Sequence, residues 1–286
     1  MKTLFSKPII EKEKSRIREE VLALKNNHGI TPGLSVILIG NDPASQIYTS
    51  SKGRAAEELG MKHETLTFDK SVSVEEVHQT VKKLNEDPSV HGILIQRPVP
   101  PQFKESDLIE WITPEKDVDG FHPMNIGKLH LGLPCLQPCT PTGIIRLVKH
   151  YGFPLSGKHV VIIGRSSIVG KPASALFLRE NSTVTTVHSK SQRIKEICKS
   201  ADILVVAAGK PHLVNSEWIK PGAIVIDVGI HRQNNKVIGD VDFEDIKEKA
   251  SAITPVPKGI GPMTIMELLN NTLISAKLSQ KVLEEK

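Results

Sequence analysis

The sequence is poor in aromatic residues: Phe, Trp and Tyr together make up 4% of 286 residues. That leaves too few ring faces for a base-stacking nucleic-acid platform. A strong charge of one sign is also missing. The formal net charge is +5, from 37 basic and 32 acidic residues, an excess that suits a small anionic substrate or serves solubility. No basic patch interleaved with aromatics stands out, so no nucleic-acid partner is expected. The densest charged run, residues 11–20, alternates in sign and reads as a solvated helix face with i,i+4 pairs. Cysteine is scarce, with only Cys135, Cys139 and Cys198. An odd count argues against a disulfide framework and for a reducing, cytoplasmic setting. Cys135 and Cys139 have no second Cys/His pair at ligand spacing, so packing rather than metal binding is expected. No apolar run approaches the roughly 20 residues of a membrane span. Residues 1–8 lack the apolar core of a signal peptide, so no membrane partner is expected.

What the chain does contain is alternation. Hydrophobic residues at 39% and charged residues at 24% are a globular balance, and the length suits two domains. Strand-like runs at 35–40, 62–68 and 92–96 are separated by helical patterns at 45–59 and 74–84, with another helix at 105–111. The rhythm then breaks between 113 and 142, in a stretch with five prolines and three glycines that reads as a functional or inter-domain loop. A second series starts with a helix at 142–151. It continues through strands at 159–163, 183–187, 203–207 and 223–227, with helices between them, and a last helix covers 263–284. The expected fold class is α/β with parallel sheets covered by helices.

The most telling segment runs from Val160 to Pro172. An apolar β-branched run ends at Gly164; Arg165, Ser166, Ser167, Ile168 and Val169 follow, then Gly170 and a helix-like stretch. Strand, tight turn and helix N-terminus form the layout that cradles a dinucleotide pyrophosphate. The Gly-x5-Gly spacing is looser than G-x-G-x-x-G, and an ordinary strand-to-helix turn is the competing reading. After the next strand come His188, Ser189, Lys190, Ser191, Gln192 and Arg193, with no acidic residue to receive a ribose 2′-hydroxyl. Cations there and Arg165 in the turn point to a 2′-phosphate, hence to NADP over NAD. Whether Arg193 meets the cofactor or decorates the next helix stays open.

Tyr48 and Lys52 lie four apart on one helix and share a face. A lysine whose neighbours favour its neutral form is a proton-transfer group; an exposed Tyr/Lys pair is the bland alternative. Gln96 ends a buried strand, where sites in open α/β sheets collect. Asp117 and Asp119 sit in the long loop. Asp119 reads either as a turn residue before Gly120 or as an acceptor for a heterocycle's paired N–H groups.

Taken together, the segments 48–52, 92–100, 114–120, 138–141, 164–172, 253–257 and 259–264 resemble the bifunctional methylenetetrahydrofolate dehydrogenase/methenyltetrahydrofolate cyclohydrolase family over essentially the whole chain. The resemblance implies oxidation of 5,10-methylenetetrahydrofolate with NADP, then hydrolysis to 10-formyltetrahydrofolate, within one-carbon metabolism. It implies Lys52 as central catalytic group, Tyr48 to orient the folate, Gln96 to position Lys52, Asp119 to anchor the pterin, and Pro262 near the folate. It implies Gly164, Arg165, Ser166, Ile168, Val169, Gly170, Ser189 and Ile230 around NADP. The implied domains are 1–140, folate-binding and completed by a C-terminal helix at 263–286, and 141–262, a Rossmann-type doubly wound sheet, with a cleft between them. A homodimer through the cofactor domain and polyglutamated folates are implied partners. Members usually carry leucine where this chain has Arg97. Alternation turns Arg97 outward, toward a folate's glutamate tail; the opposite course adds charge near Lys52. A dehydrogenase-only relative and a non-catalytic NADP-binding sensor are the alternative readings.

Overall fold

The computed structural model describes residues 1–233 and 236–284. Residues 285–286 of the expected C-terminal helix lie outside the described residues. The chain opens with β1 (Lys2–Thr3) and α1 (Lys7–His28). It then alternates through β2 (Gly33–Ile39), α2 (Pro43–Glu58), β3 (Lys62–Phe68), α3 (Val74–Glu86), β4 (Gly92–Ile95) and α4 (Glu105–Trp111), followed by α5 (Pro123–His130). The second series comprises α6 (Cys139–His150), β5 (His159–Ile163), α7 (Gly170–Arg179), β6 (Thr183–Val187), α8 (Ile194–Lys199), β7 (Ile203–Val206) and β8 (Ile224–Asp227). It ends with β9 (His231–Gln233), β10 (Lys236–Ile238), α9 (Phe243–Ile246), β11 (Ala252–Ile253) and α10 (Ile260–Glu284).

Two compact units divide the chain: 12–137 with 265–286, and 1–11 with 138–264. The first eleven residues thus join the second unit, not the first as expected, because β1 pairs in parallel with β11. Hydrogen bonds Leu4 N to Ile253 O at 2.8 Å and Ser6 N to Lys258 O at 3.0 Å extend that attachment. A two-residue strand carries no readable periodicity, so its partner was invisible in the sequence.

In the 12–137 unit, β2 lies between β3 and β4, all parallel. β2 and β4 are buried throughout, as strands covered on both faces must be. α3 shows how a helix is fitted to such a sheet. Ser73 caps it by accepting from Glu76 N at 3.1 Å, and Val77, Val81 and Leu84 form its buried stripe. These residues pack with Ile37, Ile93, Ile95 and Leu108 in one core.

The 1–11 and 138–264 unit holds a six-stranded sheet in the order β1-β11-β8-β7-β5-β6, parallel throughout. Strand order reverses at β5, with β6 on one side and β7 on the other. The carboxyl ends of β5 and β7 therefore flank a topological switch point, where α/β sheets bind ligands. Two expectations differ in detail. The helix expected between β7 and β8 is only a 3-10 turn, Ser216–Trp218. The broken stretch 113–142 contains α5, started by Pro123 and capped by His122, which accepts from Met124 N.

Two buried carboxylates tie the loops of this sheet together. Asp240 accepts from Ala208 N, Gly209 N and Lys210 N at 2.6–2.9 Å and pairs with His231 Nε2 at 2.7 Å. Asp227 accepts from Gly229 N, Asp240 N and Val241 N at 2.9–3.0 Å. Burial nevertheless pushes the Asp227 carboxyl up from 3.8 to about 6, against these donors and with repulsion from Asp240. An acid whose folded value is raised costs nothing below pH 4, where both states are protonated. Its cost grows through pH 4–6 and is complete above. Relative to Asp227→Asn, the wild type therefore loses about 3 kcal/mol of unfolding free energy between pH 4 and pH 7. Urea unfolding of both proteins across that range measures this, and a pH-independent difference refutes it.

Candidate active site

The 12–137 unit builds a site around an amine. α2 begins at Pro43, with Asp42 accepting from Ser45 N at 2.8 Å. Its buried residues, Ser45, Thr49, Lys52, Gly53 and Ala56, recur at helical spacing and define one face. Lys52 belongs to that face and is only 6% exposed. A buried amine needs polar partners, and Lys52 Nζ donates to Gln96 Oε1 at 2.8 Å. Gln96 follows β4 directly, and its Nε2 donates to Arg97 O at 2.8 Å. That bond turns the amide so that its oxygen faces the lysine. Tyr48, half-buried one turn earlier, has its ring centroid 5.4 Å from Lys52 Nζ. Burial pushes the Tyr48 phenol above its ordinary value, so it remains a hydrogen-bond donor at neutral pH.

Asp117 and Asp119 look equivalent in sequence and differ in the structure. Asp117 is buried, accepts from His122 N at 2.8 Å and Asn125 Nδ2 at 2.9 Å, and its backbone bridges to Ile93. It is a structural staple for the loop. Other side chains finish the job: Asn271 Nδ2 donates to Val118 O at 2.8 Å, Ser275 Oγ to Glu115 O at 2.6 Å and Lys116 Nζ to Asp87 O at 2.6 Å. Asp119 is partly exposed, and among the described residues none donates a hydrogen bond to it. Desolvation holds its carboxyl above the usual range; Lys52 and Arg97 pull it down and Asp117 pushes it up.

Arg97 does not follow the outward course expected from strand alternation. β4 ends at Ile95, so the pleat no longer dictates direction two residues later. The guanidinium instead lies 5.4 Å from the Phe121 centroid, with Nη1 3.1 Å from Glu105 Oε2. Thr49 was passed over in the sequence. It lies on the Lys52 face, and its Oγ1 is a buried polar atom without a hydrogen-bond partner among the described residues. Nothing in its spacing distinguishes it from a packing threonine.

The expected cofactor residues lie in the other unit, after the carboxyl ends of β5, β6 and β8. Gly164 follows β5 with φ +121°, and a Cβ there would lie 2.2 Å from Ala207 O. At Gly170, which starts α7, a Cβ would lie 2.1 Å from Gly164 O. Only glycine permits either approach. Ser166 Oγ accepts from Val169 N at 3.1 Å, closing the turn. Among the described residues, nothing accepts from the main-chain N–H groups of Arg165, Ser167 and Ile168. Arg165 and Ser189 are exposed, Ile168 and Val169 half-buried, and Ile230 is exposed after β8. Arg193 is exposed and pairs with Glu196 at 2.5 Å at the start of α8. Pro262 is half-buried in the first turn of α10. Cys135, Cys139 and Cys198 form no disulfide, and among the described residues no three His, Cys, Asp or Glu side chains cluster as a metal site.

The contrast between the two aspartates is measurable. Asp117→Ala strands His122 N–H and Asn125, and lowers unfolding stability by about 2 kcal/mol or more. Asp119→Ala removes a poorly solvated charge that accepts no hydrogen bond among the described residues, and does not lower unfolding stability at pH 7. Chemical denaturation at pH 7 ranks the two; the reverse ranking contradicts the assignment.

Comparison with known proteins covers most of the chain with two family models. Residues 4–119 match the catalytic-domain model of tetrahydrofolate dehydrogenase/cyclohydrolase, and residues 138–280 match its NAD(P)-binding-domain model. A Bacillus cytotoxicus protein named bifunctional protein FolD is 52% identical over 270 residues, covering 94% of each chain. The structure of the FolD methylenetetrahydrofolate dehydrogenase/cyclohydrolase from Campylobacter jejuni superposes with a TM-score of 0.95 at 45% identity, covering 97% of this chain and 99% of that one. The Trypanosoma brucei enzyme, solved with NADP and an inhibitor, gives 0.92 at 37% identity, covering 97% of both. The two family models and identity at this level over nearly the whole chain place it in the tetrahydrofolate dehydrogenase/cyclohydrolase family.

Proposed function

We propose that Lys52 is the proton-transfer centre of an enzyme with two activities. The chain oxidises 5,10-methylenetetrahydrofolate to 5,10-methenyltetrahydrofolate with NADP and hydrolyses that product to 10-formyltetrahydrofolate. The bifunctional relatives favour this over a dehydrogenase alone or a sensor. The observation carrying the residue assignment is the buried Lys52 amine, oriented by Gln96 and close enough to Asp119 to act on its charge.

The glycine-shaped turn at 164–170, with uncommitted amides and the Arg165 side chain beside it, fits a dinucleotide. Gly164, Ser166, Ile168, Val169 and Gly170 would line the pyrophosphate, Arg165 and Ser189 the 2′-phosphate, and Ile230 the nicotinamide end. When bound, NADP supplies the hydride acceptor for the oxidation. Asp119 anchors the pterin by accepting from its N–H groups, and Tyr48 orients the folate. Methenyltetrahydrofolate is a cation, so an uncharged lysine approaches it without repulsion. In ring opening the neutral Lys52 amine takes a proton from water as its oxygen bonds to the methenyl carbon. The resulting ammonium returns the proton to N5 as the bond from that carbon to N5 breaks, and the adduct's hydroxyl releases its own proton to solvent as the C=O forms, leaving the formyl group on N10. The hydrogen bond to Gln96 keeps Nζ in place in both charge states.

A homodimer through the 1–11 and 138–264 unit and use of polyglutamated folates complete the proposal. β6 is an edge strand of its sheet and offers such a surface to a second copy. Free cysteines suit a reducing cytoplasm. No described helix is long and apolar enough to cross a membrane.

Absorbance tests the two activities. With 5,10-methylenetetrahydrofolate and NADP⁺, the wild type forms NADPH without accumulating the methenyl compound, whereas Lys52→Met loses ring opening. Persistent methenyltetrahydrofolate in the wild type refutes the second activity. Fluorescence titration tests the cofactor: NADP binds more tightly than NAD, and Arg165→Ala weakens NADP about tenfold or more by removing a charge-assisted contact. Tighter NAD binding by the unaltered protein overturns the assignment.

A further inference from the structure

We propose that Arg97 is a positioning residue for the folate: its guanidinium, gripped between Glu105 and Phe121, supplies the constant positive charge that keeps the Asp119 carboxylate able to accept the pterin's N–H groups. The inference rests on the reading of Asp119 as the pterin anchor and concerns what this chain gains where members of the family usually carry leucine.

Asp119 is poorly placed to stay ionised. No described residue donates a hydrogen bond to it, and the Asp117 carboxylate on the same loop repels it. Arg97 and Asp119 line one small cavity with Phe121, whose wall includes Leu108 and Ile112. Apolar neighbours lower the effective dielectric and strengthen the interaction between charges. The charged groups that face Asp119 are Lys52 from α2, Arg97 from the turn after β4 and Asp117 from its own loop; Glu105 of α4 acts by holding Arg97. The two cations differ in kind. Ring opening requires Lys52 to pass through its neutral form, and at that stage it offers Asp119 no charge. A guanidinium does not deprotonate, so Arg97 stabilises the carboxylate throughout. Its place is held by two contacts, the 3.1 Å pair with Glu105 and the 5.4 Å approach to Phe121. Neither contact uses Lys52 or Gln96, so the arginine stays in position whatever the state of the amine.

The test is the pH dependence of KM for 5,10-methenyltetrahydrofolate hydrolysis between pH 5 and 8, for wild type, Arg97→Leu, Arg97→Lys and Asp119→Asn. For the wild type, KM rises as pH falls and Asp119 takes up a proton. Arg97→Leu moves that rise upward by roughly half a pH unit or more. Arg97→Lys, which keeps the charge, restores much of the wild-type profile. Asp119→Asn raises KM and removes the acid limb. A carbon-13 carboxyl titration of Asp119 in wild type and Arg97→Leu follows the same shift without turnover. If Arg97→Leu does not fold, Arg97→Gln gives the same comparison with planarity retained. Superimposable profiles for wild type and the uncharged variant, with Asp119→Asn impaired, overturn the role of Arg97 alone. An unimpaired Asp119→Asn overturns the anchor and the inference together.

Discussion

A lysine amine buried against the carboxyl end of an apolar strand must be answered by polar groups, and the folate-binding unit is arranged around that requirement. Gln96 meets the amine directly and is itself turned by the carbonyl of Arg97. Asp119 contributes a charge close enough to be influenced by Lys52. For Asp119 to stand there, its loop must run beside β4, and Asp117, Lys116, Asn271 and Ser275 all bind that loop in place. A hydrophobic sheet thus carries its chemistry at the strand end, where pairing stops and backbone and side chains are free to turn toward a ligand.

The cofactor-binding unit solves a different problem by related means. Its ligand site must be shaped by backbone, because a pyrophosphate is best held by N–H groups that a side chain does not crowd. Gly164 and Gly170 allow the turn to close on Ala207 and on itself. The loops after β7 and β8 are then fixed from beneath by Asp240 and Asp227, which between them collect six backbone N–H groups. Here carboxylates serve as rigid acceptors rather than as catalysts. Both units therefore place acidic residues deep in the structure, and hydrogen-bond partners decide which are staples and which remain for a ligand.

Much of the fold was legible because burial on both faces writes itself into sequence. β3, β5 and β6 fall on the residues that alternation and apolar runs indicated, and α4 likewise. Pieces escaped where the signal was too short or the rule was overridden. β1 and β11 have two residues each, below any period. α5 lies in a proline- and glycine-rich stretch that reads as loop, although Pro123 at its first turn is a favourable start. Tyr48, Lys52 and Gln96 could be nominated from helical spacing and strand-end position. Their contact could not, because Lys52 and Gln96 are 44 residues apart and meet only through the pairing of β2 with β4 and the packing of α2.

The sequence by itself determined the parallel α/β architecture, the dinucleotide turn and the residue types available for proton transfer, since these depend on local periodicity, on glycine and on side-chain chemistry. Tertiary structure alone decided which member of a similar pair performs which task. Asp117 and Asp119 are two residues apart, yet one is consumed by Asn125 and the His122 backbone while the other, among the described residues, is left without a donor. Arg165 stands exposed beside the turn, and Arg193, also exposed, pairs with its helix neighbour Glu196. Arg97 is turned by Glu105 and Phe121 toward Asp119. The physical reason is common to all three: charge and hydrogen-bonding capacity belong to the residue, but whether they are already spent depends on neighbours that only the folded chain brings within reach.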